Sequence, residues 1–260
     1  MLERILMSLG VYKTYEKYLW RQIKNADMPE HIGVILDGNR RWARDNFLPI
    51  WLGHKKGAEK VEALLVWCLS LGVKTITLYV FSMENFQRPE KEVSTIMKIV
   101  EEKMRKLLSD KLIHENKVRV KAIGRLNLLP PVLQNLIREA EEVTKDYSEH
   151  FLNIAIAYGG RAEIVDATQR IAEEVKEGKI QPEEIDEKLI ENHLYTSHLP
   201  QSDPDLIVRT SSEERLSGFL LWQSAYSELY FLDVYWPDMR KIDLWRAIRT
   251  YQKRNRRFGH

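Results

Sequence analysis

The chain has 260 residues, 44% of them hydrophobic and 30% charged, enough for one large domain around a well-filled core. A formal net charge of +2 gives no global electrostatic case for nucleic acid. The single cysteine, Cys68, excludes an internal disulfide and a thiolate-rich zinc site.

No apolar run reaches the length of a membrane span and no secretory signal is read, so a cytoplasmic location is expected. Residues 1–27 predict an amphipathic helix, with Leu2, Ile5, Leu6 and Leu9 followed by Tyr15, Tyr18, Leu19 and Ile23. Arg4, Lys13, Lys17, Arg21 and Lys24 outnumber its acids. Two resting places for this stripe stay open: an anionic membrane surface, giving peripheral association, or the chain's own domain or a partner.

From residue 28 onward no repeat, low-complexity tract or linker divides the sequence. "HIGVILDG" (31–38) predicts a buried strand, and a short helix begins near Arg40. Residues 54–72 predict a helix closed by Gly72, with Cys68 as plain core on its apolar face. "KTITLYVFS" (74–82) predicts a second strand. A long helix then runs from Pro89 to Leu112, with Val93, Ile96, Met97, Val100, Met104 and Leu107 on one face. That stripe fits either an apolar tunnel wall or ordinary core packing. A third strand (117–124), a helix after Pro130-Pro131 and a fourth strand (151–160) follow. Helices over 161–177 and 182–194 precede a fifth strand (204–210) and a short sixth (229–234). The last helix starts near Asp238 and runs into a basic tail.

Continuous apolar strands separated by helices predict a single α/β domain. Its mainly parallel central sheet would have about six strands, covered by helices on both faces. In such sheets the ligand crevice lies beyond the carboxyl ends of the strands. Asp37, Ser82, the Tyr158–Arg161 turn and the Arg209–Ser212 turn all fall just after strands, so they should converge on one mouth.

Three stretches there carry chemistry. In "LDGNRRWAR" a helix start would offer free N–H groups to an anion, and Arg41 a bidentate contact to phosphate oxygens. Asp37 accepts only, so beside a phosphate its best use is to hold Mg²⁺. Gly53-His54 adds another phosphate donor. "FSMENFQRPE" sets Ser82, Glu84, Asn85 and Arg88 between a strand and Pro89. "RTSSEERLSGF" spaces Arg209, Arg215 and Ser217 as a second anion pocket, and Glu228 stands among apolar and aromatic neighbours in "SAYSELYF". A buried carboxylate is costly unless paired or metal-bound. Two arginine-lined pockets and two candidate metal carboxylates suggest two phosphorylated substrates meeting at one site. Neither GxxxxGK[ST] nor GxGxxG occurs, which disfavours ordinary nucleotide folds.

"DGNRRWA", "GH", "FSMENFQRP", "YGGR", "RT" with "ERLSGFLLWQ", "ELYF", "WP" and "RRFG" occur here in a telling order and spacing. Over about residues 28–260 the chain resembles the cis-prenyltransferases, the Z-type polyprenyl diphosphate synthases, and leans toward their archaeal and eukaryotic branches. The resemblance implies a homodimeric, Mg²⁺-dependent enzyme that condenses isopentenyl diphosphate repeatedly onto an allylic primer, geranylgeranyl or farnesyl diphosphate. Its product is a long polyprenyl diphosphate, the precursor of a glycosyl carrier lipid. By resemblance Asp37 and Glu228 bind Mg²⁺, while Gly38, Asn39, Arg40, Arg41, Trp42 and His54 hold the allylic diphosphate. Ser82, Met83, Glu84, Phe86 and Arg88 belong to the substrate-binding stretch. Asn85 matches the position assigned to proton removal, where an amide better orients the substrate while a phosphate oxygen takes the proton. Arg209, Arg215, Leu216 and Ser217 match the isopentenyl diphosphate pocket. Arg257 and Gly259 belong to a tail that completes the site of the other subunit. The chain departs from the family at Ile50, where arginine is common, and at Ser211-Ser212, where Gly-Gly is common. A non-catalytic subunit is the rival reading, opposed by the presence of Asp37, Asn39 and Arg41. A nucleic-acid binder using the basic C-terminus is the other, opposed by the lack of a stacking array.

Overall fold

The computed structural model of the chain describes residues 11–254. Six strands form one sheet: β1 His31–Ile35, β2 Thr75–Ser82, β3 Val118–Ile123, β4 His150–Tyr158, β5 Leu206–Thr210 and β6 Glu228–Leu232. Their order across the sheet is β3-β4-β2-β1-β5-β6, and every neighbouring pair is parallel. All residues of β1 and β5 are buried, as expected for apolar strands covered on both faces. The chain leaves β1 toward β2 on one side, while β5 leads to β6 on the other. The β1–β5 boundary is therefore the switch point, beyond whose carboxyl ends a ligand crevice opens.

Nine helices accompany the sheet among the described residues: α1 Val11–Ile23, α2 Asn39–Asp45, α3 Ile50–Ser70, α4 Glu90–Leu107, α5 Lys111–Glu115, α6 Pro131–Val143, α7 Gly160–Lys176, α8 Glu187–His193 and α9 Lys241–Lys253. One face of the sheet carries the main core, with Ile32, Val34 and Leu78 packing among residues of α1, α3, α4, α6 and α9. Cys68 lies in it, fully buried, and burial pushes its thiol up to about 12. The other face is covered by the chain around Tyr195, Leu216, Phe219 and Leu220. Most element boundaries fall within a few residues of expectation. The long helix is one exception: it ends at Leu107 rather than Leu112, because Asp110 caps a new helix by accepting from Leu112 N at 2.9 Å. Similarly, α8 starts only where Asp186 caps Leu189 N at 2.7 Å.

Residues 1–10 of the predicted N-terminal helix lie outside the described chain. From Val11 onward the stripe rests on the chain's own last helix. Leu19 and Ile23 are fully buried, Tyr12 and Tyr15 accept hydrogen bonds from Arg240 and Arg246, and the rings of Trp20 and Trp245 lie 5.5 Å apart. Over residues 11–23 the apolar face is thus occupied by α9. No helix among the described residues is long and apolar enough to cross a membrane.

A buried polar chain crosses three strands under the sheet. His31 Nε2 meets Thr77 Oγ1 at 2.8 Å, Asn153 Nδ2 donates to the same oxygen at 3.1 Å, and Asn153 Oδ1 meets His198 Nε2 at 2.8 Å. Burial lowers both histidines from 6.5 to about 4, and at His31 the Asp205 charge opposes that shift. Their neutral forms stabilise the fold fully above pH 6.5, and that contribution is lost as pH falls toward 4. For His31 alone the effect is roughly 3 kcal/mol, since one pKa unit is about 1.4 kcal/mol. Urea midpoints should therefore fall between pH 6.5 and 4, and His31→Gln should flatten that slope. A midpoint that does not move with pH in the parent chain would remove this account.

Candidate active site

β1 ends at Ile35, and Asp37 follows at the sheet's carboxyl edge. Thr210 fixes its backbone, accepting from Asp37 N at 3.1 Å and donating to Asp37 O at 2.7 Å. Gly38 then turns the chain at φ 101°, a left-handed conformation suited to glycine, and a Cβ there would come within 2.7 Å of Tyr235. The turn sends Asn39–Asp45 into α2 with no side-chain cap on its first N–H groups. This helix has only seven residues, so the arginines on it matter more than its dipole. It packs tightly on α3, where a Cβ on Gly53 would fall 2.1 Å from the carbonyl oxygen of Asn39.

The Asp37 carboxylate joins two arginines. Arg41 Nη2 reaches Oδ1 at 3.2 Å, and Arg209 Nη2, from β5, reaches Oδ2 at 2.7 Å. Arg209 is 4% exposed and also donates through Nη1 to Ser217 Oγ at 2.9 Å and to the Arg215 carbonyl. Its Nε is buried without a partner. One guanidinium therefore links the first strand-end pocket to the second. The loop beyond β5 is strained: Ser211, Ser212, Ser217 and Leu220 all have positive φ, each a cost of about 1–3 kcal/mol. That geometry explains why glycines suit positions 211 and 212, and why serine there is the harder choice.

Across the cleft, Arg40, Arg88 and His54 gather on Glu92 in the first turn of α4. Glu92 Oε1 lies 3.5 Å from Arg40 Nε, 3.3 Å from Arg88 Nη1 and 3.1 Å from His54 Nε2. Burial pulls both His54 and Arg88 below their ordinary values, and Glu92 counteracts it. Arg40 Nε is buried without a hydrogen bond, so its ion pair is loose. Glu213 plays the same part on the other side, accepting from Arg41 Nη1 at 2.9 Å and from Arg215. Both acids hold arginines in place that an anionic ligand would claim.

Asn85 is held by a local cap. Its Oδ1 accepts from Ser82 N at 3.2 Å, which leaves the Nδ2 amino group as its donor. An amide whose oxygen is engaged in this way can orient a substrate but offers no base.

Asp37, Asn85, His54 and the arginines around them line a cleft of about 1040 Å³. Its walls carry eight arginines (Arg40, Arg41, Arg44, Arg88, Arg125, Arg161, Arg209 and Arg215) against the carboxylates of Asp37 and Glu84. Ser82, Met83, Asn85, Ser217, Gly38, Asn39 and His54 complete the expected set on those walls. Trp42, Phe86 and Leu216 are not on them: Phe86 packs edge-on against Phe81 at 4.9 Å, and Leu216 packs beside Tyr158 and Phe219. Glu92, Glu213 and Arg125 went unmarked in the sequence, although Arg125 obeys the strand-end rule, standing two residues after β3. Leu36, Asn39, His54, Val80 and Ile96 line both this cleft and a second, apolar cavity of about 160 Å³ between α3, α4 and the sheet.

Within one chain Glu228 and Asp37 lie apart: Glu228 opens β6 opposite Leu206, whereas Asp37 meets Arg209, three residues further along. Three residues span about 10 Å of strand, so the two carboxylates sit toward opposite ends of the sheet. Glu228 instead pairs with Arg254 at 2.5 Å, where the C-terminal tail begins. Arg257 and Gly259 lie outside the described residues. No group of three or more potential metal-ligating side chains occurs among those described.

Residues 35–259 match a prenyltransferase family described as "Putative undecaprenyl diphosphate synthase". Tritrans,polycis-undecaprenyl-diphosphate synthase (geranylgeranyl-diphosphate specific) of Methanopyrus kandleri is 54% identical over 249 residues, covering 96% of this chain and 91% of its own length. The enzyme of the same name from Methanocaldococcus jannaschii is 54% identical over 256 residues, covering 98% and 91%. Among solved structures, lavandulyl diphosphate synthase from Lavandula x intermedia, in complex with dimethylallyl diphosphate, superposes with a TM-score of 0.85. It is 34% identical and covers 90% of this chain and 99% of its own.

Proposed function

The chain belongs to the undecaprenyl diphosphate synthase family of cis-prenyltransferases, and from that premise we propose how its residues divide the reaction. It is a transferase that lengthens an allylic diphosphate with isopentenyl diphosphate to a polyprenyl diphosphate. The primer is geranylgeranyl diphosphate, as the names of the archaeal relatives suggest, rather than farnesyl diphosphate. One observation carries the reading: an arginine-lined cleft shares five wall residues with an apolar cavity. Such a site holds diphosphates at its mouth and hydrocarbon within.

In this reading the allylic diphosphate takes the place that Glu92 fills among Arg40, Arg88 and His54, with Arg41 and the Gly38–Asn39 turn beside it. Isopentenyl diphosphate lies against Arg209, Arg215 and Ser217, bridged to the first pocket through Arg209. The carbon–oxygen bond of the primer breaks as negative charge collects on the leaving diphosphate, where the arginines stabilise it. The terminal alkene carbon of isopentenyl diphosphate forms the new carbon–carbon bond. Its C2 proton then leaves to a phosphate oxygen, with Asn85 orienting the chain.

Asp37 fits Mg²⁺ by its chemistry: a hard carboxylate facing a diphosphate pocket, with the remaining positions left to phosphate and water. Bound there, the ion would neutralise diphosphate charge. Glu228 joins that site only from a second copy. It sits on the edge strand where the tail departs through Arg254, so a homodimer whose tail reaches the other subunit would present Glu228 alongside.

Purified protein given labelled isopentenyl diphosphate, Mg²⁺ and primers of different length should yield long products sized by chromatography, most rapidly from the C20 primer. Absence of any elongated product would sink the reading. The cavity supplies a second check. Ile96 and Val100 face it from α4, and enlarging either to Trp should shorten the products while the enzyme stays folded. Unchanged lengths in an active variant would return that helix to plain core packing.

A further inference from the structure

The turn that joins α2 to α3 displays apolar side chains to solvent. Phe47 is 97% exposed, Leu48 38% and Trp51, in the first turn of α3, 48%. Phe47 also has a φ of 57°, in the left-handed region that glycine or asparagine takes just past the end of a helix. Its N–H donates to the Arg44 carbonyl at 2.9 Å, which closes α2. A glycine would make the same turn with less strain, and the Phe47 ring packs against almost nothing in return. The fold therefore gives no reason for a ring at this position. The turn stands on the rim of the cleft: Arg44, three residues before Phe47, and His54, three after Trp51, both line it. That rim is basic. Arg44, Lys55 and Lys56 are exposed beside the turn, and the eight arginines of the cleft stand behind it. Of the neighbouring acids, Asp45 is engaged by the Tyr235 hydroxyl at 2.8 Å and Glu59 by Lys56 at 3.0 Å.

We propose that this turn docks on an anionic lipid surface, with Phe47, Leu48 and Trp51 entering the acyl boundary and the flanking cations meeting the head groups. Aromatic and leucine side chains bordered by lysine and arginine suit such an interface, where one end of the contact is apolar and the other wet. Docked in this way, the cleft mouth faces the bilayer, from which a long-tailed diphosphate arrives and into which a longer one departs. That use rests on the chain-growth reading above, whereas the docking itself does not. A second copy of the chain fits the turn less well. A symmetric contact would set the same basic rim against itself, and like charges facing one another cost affinity.

The test reads contact at residue 47 itself. Cys68 is fully buried and burial pushes its thiol up to about 12, so in Phe47→Cys a polarity-sensitive thiol dye goes to position 47. Its emission should shift to the blue on vesicles of mixed phosphatidylglycerol and phosphatidylcholine. The shift should be smaller on phosphatidylcholine alone and should weaken as salt rises. The same dye on Glu183→Cys, exposed beyond the far end of α7, should not move. In flotation with the mixed vesicles, Phe47→Gly should lower the partition coefficient roughly tenfold, and adding Leu48→Ser and Trp51→Gln roughly 100-fold. Phe47→Gly should not lower the melting temperature, since it relieves a left-handed turn. Undiminished flotation with a lower melting temperature would make Phe47 structural. A parent chain that does not float, or one that floats with no shift at position 47, overturns the docking point. A shift that appears without lipid and grows with protein concentration overturns it as well, in favour of a second copy. No arm needs turnover, so a chain that docks and elongates nothing keeps the surface and removes the chain-growth reading.

Discussion

Replacing Asp37 with alanine should lower kcat by on the order of 10³-fold while the protein stays folded, a loss typical of removing one group that stabilises developing charge. The carboxylate faces the cleft and its side chain is 27% exposed, so it does not support the core. Its removal leaves Arg209 with its bonds to Ser217 and the Arg215 carbonyl, which limits the structural cost. The functional cost is large in the proposed reading, because Asp37 lies on the cleft wall and contacts the arginines of both proposed diphosphate pockets. Asp37→Asn separates charge from shape: it keeps an acceptor for Arg209 and loses the negative charge a cation needs. Steady-state rates across an Mg²⁺ titration, read beside thermal melts, decide the matter. A rate near the parent's in saturating Mg²⁺ would end the metal assignment.

The sheet was legible because strands buried on both faces read as unbroken apolar runs, as "HIGVI" and "LIVRT" do. The strand-end rule then located Asp37, Ser82 and Arg209 without any knowledge of side-chain positions. The rule does not reach Glu228, which precedes "LYFL" and so opens its strand rather than closing it. Glu92 and Glu213 were hidden for a different reason. An acid four residues after Arg88, or two before Arg215, looks like a solvated surface charge, and only the fold brings Glu92 to His54, 38 positions away, and Glu213 to Arg41, 172 positions away in the chain. The end of α4 at Leu107 was a local contest, decided by one capping aspartate against a continuing apolar stripe.

If the chain forms the proposed homodimer, and an arginine and a closely approaching backbone complete the other subunit's isopentenyl diphosphate site, deleting residues 257–260 should reduce turnover about 100-fold without dissociating it. The described chain shows where that tail sets out: Arg254 pairs with Glu228 on the outermost strand of the sheet. Mixing the truncation with Asp37→Ala makes the geometry decisive. In each mixed dimer one site would lack both Asp37 and the tail, and the other would have both. With random exchange half the dimers are mixed and half their sites intact, so activity should return to about a quarter of the parent's. The same mixture made with Glu228→Gln in place of the truncation should recover likewise, since Glu228 would travel with the tail. Recovery for neither, with exchange demonstrated by mass, would confine the whole site to one chain and leave Glu228 as the anchor of Arg254.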